Sequence, residues 1–266
     1  SPVKAAALAQ GLAIFQPANL RTSEALLHLA AWKPDLIVVA AFGQILRRPV
    51  LELAPHGCLN VHASLLPRYR GAAPITAAIL AGDPVTGVTI MRMDAGLDTG
   101  PILAQSRCPI EPDDTAGSLT AKLAELGAQL LVQTLPGWLQ GELQAQPQDD
   151  SLATNCRLVQ KRDGKLDWAQ PAAHLERQVR AYDPWPGAFT TWQGRRLKVL
   201  RARVSPRETA VGQPGEVVDL DPQGLGVVTG EGVLELLEVQ LAGKKPMEAG
   251  LFARGQRDLI GCLLGT

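Results

Sequence analysis

The chain has 266 residues, 46% of them apolar and 20% charged, and this composition excludes a disordered or low-complexity protein. Its 26 basic and 26 acidic side chains give a formal net charge of zero, so any binding of nucleic acid must depend on local charge. No apolar run reaches the roughly 18 residues of a membrane span, and we expect no membrane contact.

The four cysteines lie far apart in the sequence. None of Cys58, Cys108, Cys156 and Cys262 belongs to a Cys-x-x-Cys pair. This spacing disfavours a structural zinc site and a disulfide framework, and it favours a reducing, cytoplasmic location without a metal site.

The sequence predicts alternating strands and helices in the first half of the chain. Ser23 is placed to cap a helix that Pro34 stops, and Asp114 or Thr115 caps a long amphipathic helix that ends before Pro136. Apolar β-branched runs predict strands at residues 12–15, 35–42, 59–62, 87–93 and, as an antiparallel edge strand, 102–110. This alternation favours an α/β fold with a parallel sheet.

The composition and periodicity of the sequence change near residue 141. Residues 142–157 are polar and aperiodic, which is typical of a linker between domains 1–141 and 158–266. Beyond them, one helix at 172–181 precedes short predicted strands at 189–192, 196–204, 215–219, 226–229 and 232–241. Strands at this spacing predict a small β-barrel.

The strongest candidate site follows the predicted strand at 59–62. Side chains alternate along a strand, so Asn60, His62 and Ser64 begin on one side of it. An amide can stabilise an oxyanion, an imidazole can carry a proton near neutral pH, and Asp98 in the loop after the next strand can orient the imidazole. This set suits acyl transfer through a tetrahedral intermediate.

Other interpretations of the same residues stay open at this point. A lone histidine after a strand often serves as a structural hydrogen-bonding group, and Asn60 and Asp98 both fit ordinary turn positions. Ser64 as a nucleophile is disfavoured because the Gly-x-Ser-x-Gly pattern is absent.

Two stretches, NVHASLLPRYRG at 60–71 and MDAGLDTG at 93–100, resemble the signature loops of 10-formyltetrahydrofolate-dependent formyltransferases. The continuation AAPI at 72–75, RAYDPWP at 180–186 and GKKPM at 243–247 are most similar to members that formylate methionyl-tRNA. The resemblance covers almost the whole chain. It implies a Rossmann-like catalytic domain followed by a barrel of the oligonucleotide-binding type.

The resemblance also implies roles for residues. Asn60 would polarise the formyl oxygen, His62 would handle the proton of the attacking methionyl amine, and Asp98 would position His62. The co-substrate would be 10-formyltetrahydrofolate without a metal, and the partner would be initiator methionyl-tRNA bound by a monomer. The implied folate-binding residues are Ser64, Leu65, Leu66, Pro67, Asp94 and Leu97.

The family has an opening strand, a helix and a basic loop ahead of the segment that starts at Ser1. We therefore expect a fragment of a longer protein with an incomplete catalytic domain, or a chain that has lost activity. The missing loop would be one that grips the tRNA acceptor end.

A basic, acid-free stretch at 195–207 suggests an RNA-binding face. The candidate tRNA-binding residues are Lys161, Arg162, Lys165, Arg195, Arg196, Lys198, Arg201 and Arg203. The alternative is a solvated strand whose charge is balanced by Glu231, Glu235 and Glu238.

Two other functions remain open from the sequence. A sugar formyltransferase or a formyltetrahydrofolate hydrolase would share Asn60, His62 and Asp98. An RNA-binding protein with an inactive transferase domain is the rival from another class.

Overall fold

The computed structural model describes residues 2–206, 212–220, 224–256 and 258–265. An α/β part is followed by a part built on an antiparallel sheet, so the predicted two-part architecture is confirmed. Arg207, at the end of the basic stretch, lies outside the described residues. Within those ranges no helix is both long and apolar enough to cross a membrane.

The first sheet has four strands and mixed direction. Its order is β1-β2-β4-β5, and only the β1–β2 pair is parallel. The strands of this half of the chain are β1 (Ile37–Ala40), β2 (Cys58–His62), β3 (Arg70–Gly71), β4 (Val85–Arg92), β5 (Ile102–Pro109) and β6 (Asn155–Cys156).

The expectation of a parallel sheet is therefore wrong for β4, while the antiparallel edge strand β5 is confirmed. Residues 85–88 of β4 extend beyond the carboxyl end of β2, because His62 pairs with Thr89. The chain thus leaves β2 and re-enters the sheet at the same end, which makes β4 antiparallel to β2. A short loop then joins β4 to β5, and a hairpin connection can only give antiparallel strands.

Seven α-helices lie in the described residues. Their bounds are α1 (Pro2–Ala9), α2 (Ser23–Ala31), α3 (Arg48–Leu51), α4 (Pro74–Ala81), α5 (Ala116–Leu139), α6 (Ala172–Ala181) and α7 (Ala249–Arg254). The buried side chains of α5, including Leu119 and Leu123, share a core with Leu59 of β2 and Ile90 of β4. This packing fixes the strands from which the candidate site residues emerge.

Three local predictions are corrected. Residues 12–15 form no strand, and Phe15 instead stacks on the His28 ring at a centroid distance of 3.9 Å. Thr22, one residue before Ser23, is the N-cap of α2. Helix α5 continues through Pro136, because the carbonyl that loses its N–H partner there belongs to Val132, which is 67% exposed and open to water.

The second sheet is antiparallel, with the order β7-β8-β11-β10-β9 and β12 paired to β11. Its strands are β7 (Ala188–Trp192), β8 (Arg195–Val204), β9 (Val217–Leu220), β10 (Gly224–Val228), β11 (Val233–Leu241) and β12 (Met247–Glu248). Leu175 of α6 lies in the same core as Leu197, Val227 and Leu234, and all four are fully buried or nearly so. The oligonucleotide-binding type of barrel stays a prediction.

Helix α6 connects the two parts of the molecule. The Nε of Arg177 donates to the carbonyl of Leu80 at 3.0 Å, and Nη1 of Arg180 donates to the carbonyl of Asp114 at 3.0 Å. The second part therefore packs on α4 and on the start of α5.

Asp114 stabilises the start of α5. Its carboxylate accepts from the Glu111 N–H at 2.9 Å, from Ser118 Oγ at 2.7 Å and from Lys122 Nζ at 2.8 Å. Burial opposes ionisation, but the hydrogen bonds outweigh it and hold the pKa of Asp114 below its ordinary value. A lowered folded-state pKa stabilises the fold above the unfolded value of about 4, and this stabilisation is lost as the pH falls through the folded pKa.

We expect Asp114→Asn to lower the free energy of unfolding at pH 7 by about 1–2 kcal/mol, since charge-assisted hydrogen bonds are lost. Urea denaturation at several pH values measures this, and the difference from the parent protein should shrink below about pH 4. Asp113→Asn is the matched control, because Asp113 is exposed. An equal loss in both variants, or a loss independent of pH, would contradict the prediction.

Candidate active site

Three of the predicted residues meet beside the second half of β2. Asn60 and His62 are two residues apart on this strand and project to the same side of the sheet. Asp98 comes from the loop between β4 and β5 and has a φ of 53°. Its carboxylate lies between the other two side chains: Oδ1 is 3.4 Å from Asn60 Nδ2, and Oδ2 is 3.7 Å from His62 Nδ1.

The protonation pattern of His62 follows from its contacts. Its Nε2 lies 2.9 Å from the carbonyl oxygen of Tyr69, and a carbonyl accepts only, so Nε2 carries a proton. The nitrogen that gains and loses a proton is therefore Nδ1. At 3.7 Å its separation from Asp98 is too long for a hydrogen bond, so the carboxylate attracts a charged imidazole without occupying its Nδ1.

Gly71 also fixes the geometry of the site. The N–H of Gly71 donates to Asp98 Oδ2 at 2.8 Å, which holds this oxygen on the His62 side. Gly71 has a φ of 114°, and a Cβ at this position would collide with the carbonyl oxygen of Cys156. Sequence reasoning missed this role, although a glycine at the end of the signature stretch was a signal for it.

The loop after β2 has a rigid backbone. Thr89 Oγ1 donates to the carbonyl of Ser64 at 2.7 Å, and Gln105 Nε2 donates to the carbonyl of Leu66 at 2.9 Å. The side chains of Ser64 and Leu66 are 0% and 3% exposed, and Ser64 Oγ donates to the Arg68 carbonyl at 2.6 Å. Both residues therefore shape the loop from within.

The other residues predicted to bind folate lie nearer the surface. Leu65 and Pro67 are partly exposed, and Leu97 is 57% exposed next to Asp98. Asp94 accepts from the Gly96 N–H at 2.9 Å and from Thr99 Oγ1 at 2.7 Å, so it shapes the loop that carries Asp98.

The nearby thiols are not suited to nucleophilic attack. Burial raises the pKa of Cys156, which contacts the carbonyls of Tyr69 and Arg70, and burial raises the pKa of Cys58 at the start of β2 to about 11. A thiol attacks as its thiolate, so burial disfavours attack by either side chain near neutral pH. Neither thiol is therefore a candidate nucleophile.

The residues of the predicted basic face fall into two groups, one around Phe189 and one at Arg203. The backbone of Lys165 forms an isolated β-bridge with Phe189 of β7, and Lys198 of β8 lies opposite Phe189 in the strand register. The Arg196 guanidinium lies 3.5 Å from the centre of the Phe189 ring. In the other group Arg203 binds Glu235 through two hydrogen bonds of 2.7 and 2.8 Å.

The remaining basic candidates lie on the same part of the chain. Arg201 pairs with Glu238 in the strand register, and Arg195 donates to the carbonyl of Ala242 at 2.8 Å. Lys161 and Arg162 occupy the 3-10 turn Lys161–Gly164, just before Lys165. Acidic residues therefore balance the positive charge of Arg201 and Arg203, while Arg196 and Lys198 lie together beside Phe189.

Two family profiles match most of the chain. The family profile described as "Formyl transferase" matches residues 1–135, and "Formyl transferase, C-terminal domain" matches residues 158–257. The methionyl-tRNA formyltransferase of Chloroflexus aggregans is 50% identical over 255 residues, which are 96% of this chain and 82% of that protein. That of Nitrosococcus oceani is 52% identical over 93% of this chain and 76% of its own length.

A solved structure shares the fold at lower identity. HypX from Aquifex aeolicus, in complex with tetrahydrofolic acid, aligns with a TM-score of 0.64 and 20% identity, over 89% of this chain and 42% of that one. Both domain profiles and the relatives at about half identity agree. The chain therefore belongs to the formyl transferase family.

Proposed function

We propose that this protein transfers the formyl group of 10-formyltetrahydrofolate to the α-amino group of initiator methionyl-tRNA. The observation that carries the chemistry is the convergence of Asn60 Nδ2 and His62 Nδ1 on the Asp98 carboxylate. The choice of acceptor rests on the relatives that act on methionyl-tRNA, which match 96% of this chain.

Each side chain has a separate task in this reaction. Asn60 Nδ2 donates to the formyl oxygen while negative charge develops on it, because an amide is a donor that does not titrate. His62 Nδ1 accepts the proton that the attacking amine releases as its nitrogen bonds to the formyl carbon. Asp98 stabilises the resulting imidazolium, and the proton can then pass to the departing nitrogen of the folate.

The residues of the site suit a reduced folate. The co-substrate supplies the one-carbon unit, and the protein supplies orientation and electrostatics. Leu97, which is 57% exposed beside Asp98, offers apolar surface of the kind that covers a ring system in a concave site. Leu65 and Pro67 add to this wall, and Ser64, Leu66 and Asp94 set the course of its backbone.

The wider assignments follow from the same proposal. Residues 1–141 form the catalytic domain, 142–157 join it to the rest, and 158–266 bind tRNA. All four cysteines are free thiols, which fits a reducing cytoplasm. The protein acts as a monomer on tRNA and folate.

Formylation of charged initiator tRNA with 10-formyltetrahydrofolate tests the proposal. Parallel reactions with an amino sugar and with water as the acceptor separate the three folate-dependent activities. Product on the methionyl amine above the other two acceptors supports the assignment. Binding of tRNA with no formyl product on any acceptor would instead indicate an RNA-binding protein with an inactive transferase domain.

The charge distribution on the second sheet gives a salt-dependent prediction. We expect the double variant Arg196→Gln, Lys198→Gln to weaken tRNA binding. The slope of log K against log salt should fall by about 0.7–0.9 for each phosphate that the variant no longer neutralises. Arg203→Gln should have a smaller effect, because Glu235 already balances Arg203.

Filter binding at several salt concentrations measures this slope. The control is Arg48→Gln, because Arg48 lies on α3 in the first part of the chain and is paired with Glu52. If the double variant keeps the parent slope, the face around Phe189 does not contact phosphates.

A further inference from the structure

The segment that joins the two parts contacts the active-site loop directly. Gln148 lies in residues 142–157, and its Nε2 donates to the carbonyl of Asp98 at 2.8 Å and to the carbonyl of Gly100 at 2.7 Å. One amide group thus binds both sides of the turn that presents the Asp98 carboxylate. The contact spans about 50 positions of sequence, so it depends on the fold of the whole α/β part.

Arg70 fixes the orientation of this amide. Its Nε and Nη2 both donate to Gln148 Oε1, at 3.0 and 2.8 Å. A guanidinium has donors only, so it binds the oxygen of the amide and leaves both protons of Nε2 for the loop carbonyls. Arg70 is 7% exposed and also pairs with Asp150.

The turn needs such support. Asp98 has a φ of 53°, a left-handed conformation that costs free energy for a residue with a side chain. The Asp98 side chain is held by the Gly71 N–H, and its backbone is held by Gln148. The neighbouring chain is held as well, because Gln146 forms a backbone bridge to Ile102 and β6 pairs with β3.

We propose that Gln148 is a positioning residue for formyl transfer, which acts by holding Asp98 in register with His62 and Asn60. This proposal rests on the proposed function of the site. It makes the inter-domain segment a structural part of the catalytic centre.

The variant that tests this is Gln148→Glu. Glutamate keeps the shape of the side chain and its contact with Arg70, but it places an acceptor where Nε2 donates to the two carbonyls. We expect kcat to fall about 10- to 100-fold with little change in KM for the folate, because a misplaced catalytic group costs rate rather than binding. Gln148→Leu, which adds no charge, should lose activity in the same direction.

The control is Asp149→Asn. Asp149 is the exposed neighbour of Gln148, and its carboxylate accepts from Ser151 and not from the Asp98 loop, so its substitution should leave kcat at the parent value. A double variant separates positioning from general damage. In an Asp98→Asn background, Gln148→Glu should cause much less further loss than it does alone, since both changes act through the same group.

A measurement without substrate distinguishes failure of this inference from failure of the proposed function. The amide proton of Gly71 bonds to Asp98 Oδ2, so its NMR resonance should move in Gln148→Glu and stay in place in Asp149→Asn. An unmoved Gly71 resonance, an unchanged kcat beside an active parent, or full additivity with Asp98→Asn would each overturn the proposal.

Discussion

Replacement of His62 by alanine is expected to lower kcat for formyl transfer by about 10²- to 10⁴-fold, the usual contribution of a positioned acid–base group. The reason lies in the two ring nitrogens. Nε2 is bound to the Tyr69 carbonyl, so in the proposed reaction Nδ1 takes the proton of the attacking amine. Without the imidazole, water must accept the proton from the attacking nitrogen after that nitrogen has bonded to the formyl carbon.

The effect should be confined to the chemical step. Single-turnover formylation measures it, and KM for the folate should change little because His62 is 5% exposed and offers little contact surface. His174→Ala is the matched control, since this histidine lies on α6 in the second part of the chain. Parent-level kcat in His62→Ala would remove the imidazole from the reaction.

The pair on β2 was predictable from the sequence, because the two-residue period of a strand places Asn60 and His62 on one face. Asp98 could be associated with them because the loop after a parallel neighbouring strand would begin at the carboxyl edge of the sheet. In the structure β4 is antiparallel and ends opposite Leu59, so the Asp98 loop begins near the amino end of β2 and its carboxylate reaches the pair from there. The three side chains therefore lie close together although the predicted sheet direction is wrong for β4.

The contribution of Gln148 could not be predicted in the same way. Residues 142–157 have no periodicity, and polar composition alone favours a linker. Hydrogen bonds to distant residues hold this segment, among them Gln148 to Asp98 and the N–H of Tyr69 to Thr154 Oγ1 at 2.9 Å. Such contacts leave no pattern in the local sequence, because each partner lies dozens of positions away.

The basic stretch shows a similar limit. Its lack of acids suggested one continuous positive face, but charges on β8 are balanced by the strand beside it and not by sequence neighbours. Glu235 reaches Arg203 across the sheet from 32 positions away. The register of β8 with β11 therefore decides which cations remain available for phosphates, and only the three-dimensional pairing reveals it.

Replacement of Asn60 by alanine is expected to lower kcat by about 10²- to 10³-fold, the loss that follows removal of one oxyanion donor. The 3.4 Å contact between Nδ2 and Asp98 is long and engages one amide proton, so the other remains for the formyl oxygen. Asn60→Asp sharpens the test, because it keeps the size of the side chain and replaces the donor by an acceptor.

Both variants should bind folate nearly as the parent does, because the donor acts mainly on charge that appears in the transition state. Rapid-quench formylation together with folate binding by fluorescence measures the two quantities separately. A loss confined to folate binding would assign Asn60 to the ground state, and a larger kcat for Asn60→Asp than for Asn60→Ala would rule out an oxyanion donor. Together with His62→Ala, these variants test separately whether the His62 imidazole moves a proton and whether the Asn60 amide stabilises charge.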